Sequence, residues 1–128
     1  MQEDKTSIFV VDDHPLMRLS LVRLLSDAGY IVAGEACGIT EALKKIHYTR
    51  PNILIVDISL GDDSGFDLLK EVRLCFPRVR IIVYTMHDAS MYAARALKSG
   101  AAGFVTKGES PETLLKIILD VINGKLSV

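Results

Sequence analysis

Three carboxylates, a hydroxyl and an amine stand where this chain is able to do chemistry: Asp12-Asp13, Asp57, Thr85 and Lys107. Each lies at the end of a short apolar run. The runs are Ser7-Ile-Phe-Val-Val11, Ile53-Leu-Ile-Val56, Val79-Arg-Ile-Ile-Val-Tyr84 and Ala102-Gly-Phe-Val105. Asp57 poses the sharpest question, because burying an unpaired carboxylate costs roughly several kcal/mol. If the runs bring the three acids together, their mutual repulsion calls for a cation. An oxygen-only set without paired His or Cys favours a hard ion, Mg²⁺ or Mn²⁺, completed by water and phosphate. Lys107 and Thr85 then suit an anion beside that ion, as a point charge and a hydroxyl donor for phosphoryl oxygens. A carboxylate is itself a nucleophile toward phosphorus. Asp57, after the most apolar run, is the candidate.

Each residue taken alone has a plainer reading. Asp13 suits the cap of a following helix. Thr85 is an ordinary residue at the end of a strand, and Lys107 an ordinary surface lysine. Their joint placement is what carries the chemical reading.

The elements that must position these groups are legible as an alternation. A fifth apolar run, Tyr30-Ile-Val-Ala33, joins the four above, and it leads into Glu35-Ala36-Cys37-Gly38, which offers less chemistry. All five runs are rich in β-branched and aromatic residues, as strands covered on both faces should be. Between them come helical patterns. Met17, Leu21, Leu24, Leu25 and Ala28 form one apolar face, and Gly29 stands where a helix end needs positive φ. Further helices are expected over 41–49, 66–74 and 89–98, and a fifth starts at Ser110-Pro111-Glu112 with a cap hydroxyl, a first-turn Pro and an acid. Five strand–helix units with short connections predict a doubly wound parallel α/β domain. Ligands of such sheets bind beyond the carboxyl ends of the strands.

The 128 residues suit one domain. Fifteen basic against sixteen acidic residues give a net charge of −1, unlike a nucleic-acid-binding domain. The polar start MQEDKTS resembles neither a signal nor a transit peptide. No apolar run approaches the roughly 18 residues of a membrane span. Cys37 and Cys75 lack CxxC spacing and read as free thiols of a reducing compartment, so a cytoplasmic location is expected.

The segments VVDDHPLMR (10–18), ILIVDISL (53–60), the YT at 84–85 and GFVTK (103–107) together resemble the receiver domain of bacterial two-component response regulators. DDHPLMR and the style of the last two helices resemble the NarL/FixJ (LuxR-type) transcription regulators. The resemblance spans the whole chain, 1–128. It implies a flavodoxin-like (CheY-like) sheet of order 2-1-3-4-5, of which the chemotaxis receiver is a type example, so the order comes from the resemblance and not from spacing. It implies that Asp57 accepts a phosphoryl group from the phosphohistidine of a sensor histidine kinase. It implies that Asp12, Asp13, Asp57 and the backbone carbonyl of Ser59 hold Mg²⁺, and that Lys107 pairs with the acceptor and then the phosphate. Thr85 matches the switch hydroxyl. Phe104 matches the switch aromatic and, lacking a hydroxyl, signals through packing. Ser59 and His87 match positions that tune loss of the phosphoryl group. A homodimer on phosphorylation is expected, with DNA contacted only by a C-terminal helix-turn-helix output domain that this chain lacks, and no membrane contact. Residues 123–128 resemble the place where relatives enter a linker, and a stand-alone receiver is the alternative.

Three features depart from the family's pattern. Leu60 is followed by Gly61-Asp62-Asp63, where many relatives have Pro. Gly108 follows Lys107 in place of Pro; a cis bond there would cost about 3 kcal/mol, so trans is expected. His87 stands two residues after Thr85, where a solvent-facing role competes with tuning. In the fifth helix, Leu114, Ile117, Ile118 and Val121 form one stripe and Leu115, Leu119 and Ile122 a second. The second stripe is either a partner surface or the flank of a broad core face. Two enzyme or ligand-binding readings fit less well. Phosphatases with an Asp nucleophile usually carry an acid where Ser59 stands, and a nucleotide-binding module wants a Gly-rich loop where Asp12-Asp13 stands. A pseudo-receiver that acts as an interaction module is the remaining alternative.

Overall fold

The computed structural model describes residues 5–58, 65–86 and 89–124. Five strands alternate with five helices in chain order: β1 (Ser7–Val11), α1 (Pro15–Asp27), β2 (Ile31–Ala36), α2 (Ile39–Thr49), β3 (Ile53–Val56), α3 (Gly65–Cys75), β4 (Arg80–Thr85), α4 (Ala89–Lys98), β5 (Gly103–Thr106) and α5 (Pro111–Ile122). The strands form one parallel sheet in the order β2-β1-β3-β4-β5.

Side-chain alternation along each strand divides the core in two. Phe9, Val11, Leu54, Val56, Ile81, Val83 and Phe104 face the helices α2, α3 and α4, meeting Ile46, Leu69, Val72 and Ala96. Ile8, Val10, Ile53, Ile55, Ile82 and Val105 face α1 and α5, meeting Leu21, Leu25, Leu114 and Ile118. A period of two residues sends neighbouring side chains to opposite faces, so a strand with helices on both sides must be apolar throughout. β3 is buried at every position.

β2 is the exception to the expected covering. It runs three residues further along the chain than Tyr30–Ala33 suggested and ends on Glu35-Ala36, and only Ala36 in it is fully buried. As an edge strand it has a partner only in β1, where Val10 pairs with Glu35 and Val11 with Ala36 after a register shift. An exposed edge tolerates the polar Glu35, which the apolar pattern could not count as strand. Gly34 serves packing here: a Cβ on it would lie 2.7 Å from the Phe9 ring.

The other boundaries move by one or two residues, with α2 starting at Ile39 and both β4 and β5 shifted one residue forward to end on threonines. Gly29 and Gly100 take the positive φ expected where helices end, +93° and +107°. Ser110 is the N-cap of α5, but its hydroxyl pairs with Thr113 Oγ1 at 3.2 Å and makes no cap bond to the backbone. No peptide bond among the described residues is cis, in line with the expectation for Lys107–Gly108. Leu114, Ile117, Ile118 and Val121 form the buried stripe of α5. Leu115 and Ile122 pack against the same cluster, so two of the three residues of the second stripe widen the core face and Leu119 alone is exposed.

Candidate functional site

The sheet's hydrogen-bond ladder continues one residue past the strands and carries the chemical residues with it. The Asp12 N–H donates to Ala36 O at 3.1 Å, the Asp57 N–H to Val11 O at 3.0 Å and the Lys107 N–H to Thr85 O at 2.7 Å. β1 and β3 are direct neighbours, so Asp12 and Asp57 emerge side by side at the carboxyl edge. β4 and β5 bring Thr85 and Lys107 to the same edge. Strand order therefore brings these groups to one edge of the sheet, and the long Lys107 side chain spans the strands between β5 and β1.

The side chains close on one another. Asp57 is 1 % exposed, Asp12 is 2 % exposed and Thr85 is fully buried. Thr85 Oγ1 donates to Asp57 Oδ1 at 3.0 Å. Lys107 Nζ donates to Asp57 Oδ2 at 2.9 Å and to Asp12 Oδ2 at 2.5 Å. The Lys107 side chain is 1 % exposed, which removes the surface-lysine reading. Its burial works against the charged form, but the hydrogen bonds and the charges of Asp12 and Asp57 outweigh that and raise its pKa. Asp13 flanks the pair and is not the cap of α1; that position belongs to His14.

Two residues that the sequence left without a role belong to this site. His14 Nδ1 lies 3.0 Å from Asp12 Oδ1 and 3.0 Å from Asp13 Oδ1. Arg18, on α1, donates through Nη1 to the Asp12 carbonyl at 2.7 Å and through Nε to Glu35 Oε1 at 3.0 Å. Arg18 thus ties α1 and β2 to the end of β1. Both stand inside DDHPLMR, and the helical spacing from His14 to Arg18 was the available signal. The proposed roles of Ser59 and His87, and the loop Leu60 to Asp63, lie outside the described residues. Phe104 is buried on β5, opposite Val83, on the side facing α4.

Three carboxylates against one ammonium leave the cluster at −2 before any contribution from the imidazole. Oxygen donors of that surplus charge fit a divalent cation. One ligand atom each from Asp12, Asp13, His14 and Asp57 lie within 4.8 Å of one another. The arrangement joins a buried carboxylate to an acidic cluster able to hold a cation, a lysine and a hydroxyl.

The family model described as "Response regulator receiver domain" matches residues 8–119. The chain belongs to the response-regulator receiver domains. It is similar over 125 residues, at 38 % identity, to a probable transcriptional regulatory protein, SgaR, of Hyphomicrobium methylovorum, covering 97 % of this chain and 59 % of that protein. It is 32 % identical over 111 residues to the chemotaxis protein CheY of Thermotoga maritima, covering 87 % of this chain and 92 % of CheY. Among solved structures, a LuxR-family two-component response regulator from an Aurantimonas species superposes with a TM-score of 0.92 at 32 % identity, covering 98 % of this chain and 90 % of that one. This receiver spans about 60 % of the length of regulators such as SgaR and the Haemophilus influenzae nitrate/nitrite response regulator homologue. No described helix of the receiver is long and apolar enough to cross a membrane.

Proposed function

We propose that this receiver takes a phosphoryl group on Asp57 from the phosphohistidine of a sensor histidine kinase and uses it as a packing switch. The carrying observation is Asp57 itself, 1 % exposed and held between the Lys107 ammonium and the Thr85 hydroxyl. An Asp57 oxygen attacks phosphorus, the P–N bond to the kinase imidazole breaks, and an acyl phosphate forms on Asp57. Asp12, Asp13 and Asp57 would hold Mg²⁺ or Mn²⁺, with the Ser59 carbonyl in the same role by family resemblance. A bound divalent ion supplies charge neutralisation at the phosphoryl oxygens. Lys107 neutralises the same oxygens from the end of β5 at the same edge, and its raised pKa keeps it charged at neutral pH.

The reaction adds nearly two negative charges and three acceptor oxygens beside Thr85. In the resting arrangement Thr85 donates to Asp57 Oδ1. A phosphoryl oxygen offers a stronger acceptor, and turning toward it moves the buried hydroxyl on the face shared with Phe104. Phe104 then repacks between β5 and α4, and the α4–β5–α5 surface changes. Kinase docking, a homodimer on phosphorylation and a DNA-binding output domain complete the proposal. They are supported by the family. A cytoplasmic location fits the same family.

Incubation with Mg²⁺ and a small phosphodonor, read by intact mass, is the test. One added phosphoryl mass that needs the metal and disappears in Asp57→Asn is expected. Absence of labelling with every donor would favour an interaction module that works without phosphorylation.

A further inference from the structure

His14 is not used by the mechanism above, yet it stands in the cation site. Pro15 restricts the residue before it to extended backbone, and His14 has φ −96° and ψ 107°. Its N–H donates to Asp12 Oδ1 at 2.9 Å, which holds the residue against the acidic pair. The ring follows. Nδ1 lies 3.0 Å from Asp12 Oδ1, 3.0 Å from Asp13 Oδ1 and 3.8 Å from Asp57 Oδ2. Adjacent donors around a six-coordinate ion with bonds of about 2.1 Å stand about 3.0 Å apart. The nitrogen therefore occupies the distance of a neighbouring ligand from both aspartate oxygens. More than half of the side chain is open to solvent, so the ring is oriented by polar contacts, with Nδ1 hydrogen-bonded to Asp12 Oδ1 at 3.0 Å when no ion is bound.

Resting on the receiver reading of Asp12, Asp13 and Asp57, we propose that His14 Nδ1 is a fourth donor, so that the site favours Mn²⁺ and Co²⁺ over Mg²⁺. The neutral imidazole binds through the Nδ1 lone pair, with the ring proton on Nε2. Carboxylate and water ligands serve Mg²⁺ and Mn²⁺ alike, whereas imidazole suits transition ions. A nitrogen donor therefore separates ions that an oxygen-only set treats similarly, and the gap widens from Mn²⁺ to Co²⁺ along the series of transition-metal affinities. The consequence is a receiver whose readiness for phosphorylation depends on which divalent ion is at hand.

The test is calorimetric titration of the whole chain with Mg²⁺, Mn²⁺ and Co²⁺ at one mildly alkaline pH, for wild type, His14→Asn and His14→Gln. Pulsed electron paramagnetic resonance of bound Mn²⁺ reads directly bonded nitrogen and needs no variant. Expected are a nitrogen coupling in wild type that both variants lose, and Co²⁺ affinity lowered about tenfold or more with Mg²⁺ affinity little changed. Bound Mn²⁺ without nitrogen coupling in wild type overturns the proposal and leaves the receiver reading intact, as do equal losses for all three ions. Failure of every ion to bind, with no phosphoryl mass on Asp57, overturns both.

Discussion

Lys107 shows how much one residue changes when its neighbours are known. In the sequence it is a lysine after a strand. In the fold its ammonium is buried and shared between Asp12 and Asp57. Removing one partner of a buried ion pair leaves the other uncompensated, at about 3–5 kcal/mol. Lys107→Ala should therefore lower the metal-free unfolding free energy by roughly 3 kcal/mol in urea titration. Adding Asp57→Asn to that variant should recover on the order of 1 kcal/mol, since the two residues are directly coupled. The pH dependence follows from the raised pKa of Lys107, whose burial is outweighed by the two aspartates. A raised lysine contributes stability that is fully present below the unfolded value, about 10.4, and is lost as pH rises through the higher folded value. Urea midpoints measured across neutral to strongly alkaline pH should therefore converge between wild type and Lys107→Met only at the alkaline end. A gap that is constant at every pH would show that the ammonium charge contributes nothing.

At the scale of elements, the junction between β3 and α3 frames Asp57. The Gly65 N–H donates to Ile58 O at 3.0 Å, and a Cβ on Gly65 would lie 2.3 Å from the Ile58 Cα. Backbone meets backbone there, so no rotamer change relieves the contact. Gly65→Ala should cost about 2 kcal/mol or more and slow Asp57 labelling, because relief requires moving either α3 or the end of β3. Gly108→Ala is the control: a Cβ there meets nothing within 4 Å, and its cost should stay within about 0.5 kcal/mol. Comparing both in one urea series with one labelling time course checks the pair. In α5, Leu115 packs on the core while Leu119 is exposed, so Leu115→Glu should cost about 1–3 kcal/mol and Leu119→Glu less than about 0.5. Light scattering of the phosphorylated Leu119→Glu variant then separates a surface role from a packing role. Helix spacing predicted both stripes; it was unable to say whether the second was a partner surface or the flank of the core face.

For the whole molecule, the parallel sheet acts as a device for converging residues 45 to 95 positions apart, as between Asp12, Asp57 and Lys107. The sequence by itself determined the alternation of strands and helices, because apolar periodicity and Gly/Pro signals are local. It also determined that three acids, a hydroxyl and a lysine follow strand ends, since those positions need no knowledge of the neighbours. Residue identity and strand ends were therefore enough to name the candidate site. Tertiary structure decided the rest. β2 is longer than its apolar pattern because an edge strand pairs on one side and leaves Glu35 free to reach Arg18. Lys107 is buried because two carboxylates from different strands offset the loss of its water. His14 and Arg18 join the site because the first turn of α1 packs over the end of β1. Each of these depends on contacts between segments distant along the chain, and no local pattern encodes a distance between such segments.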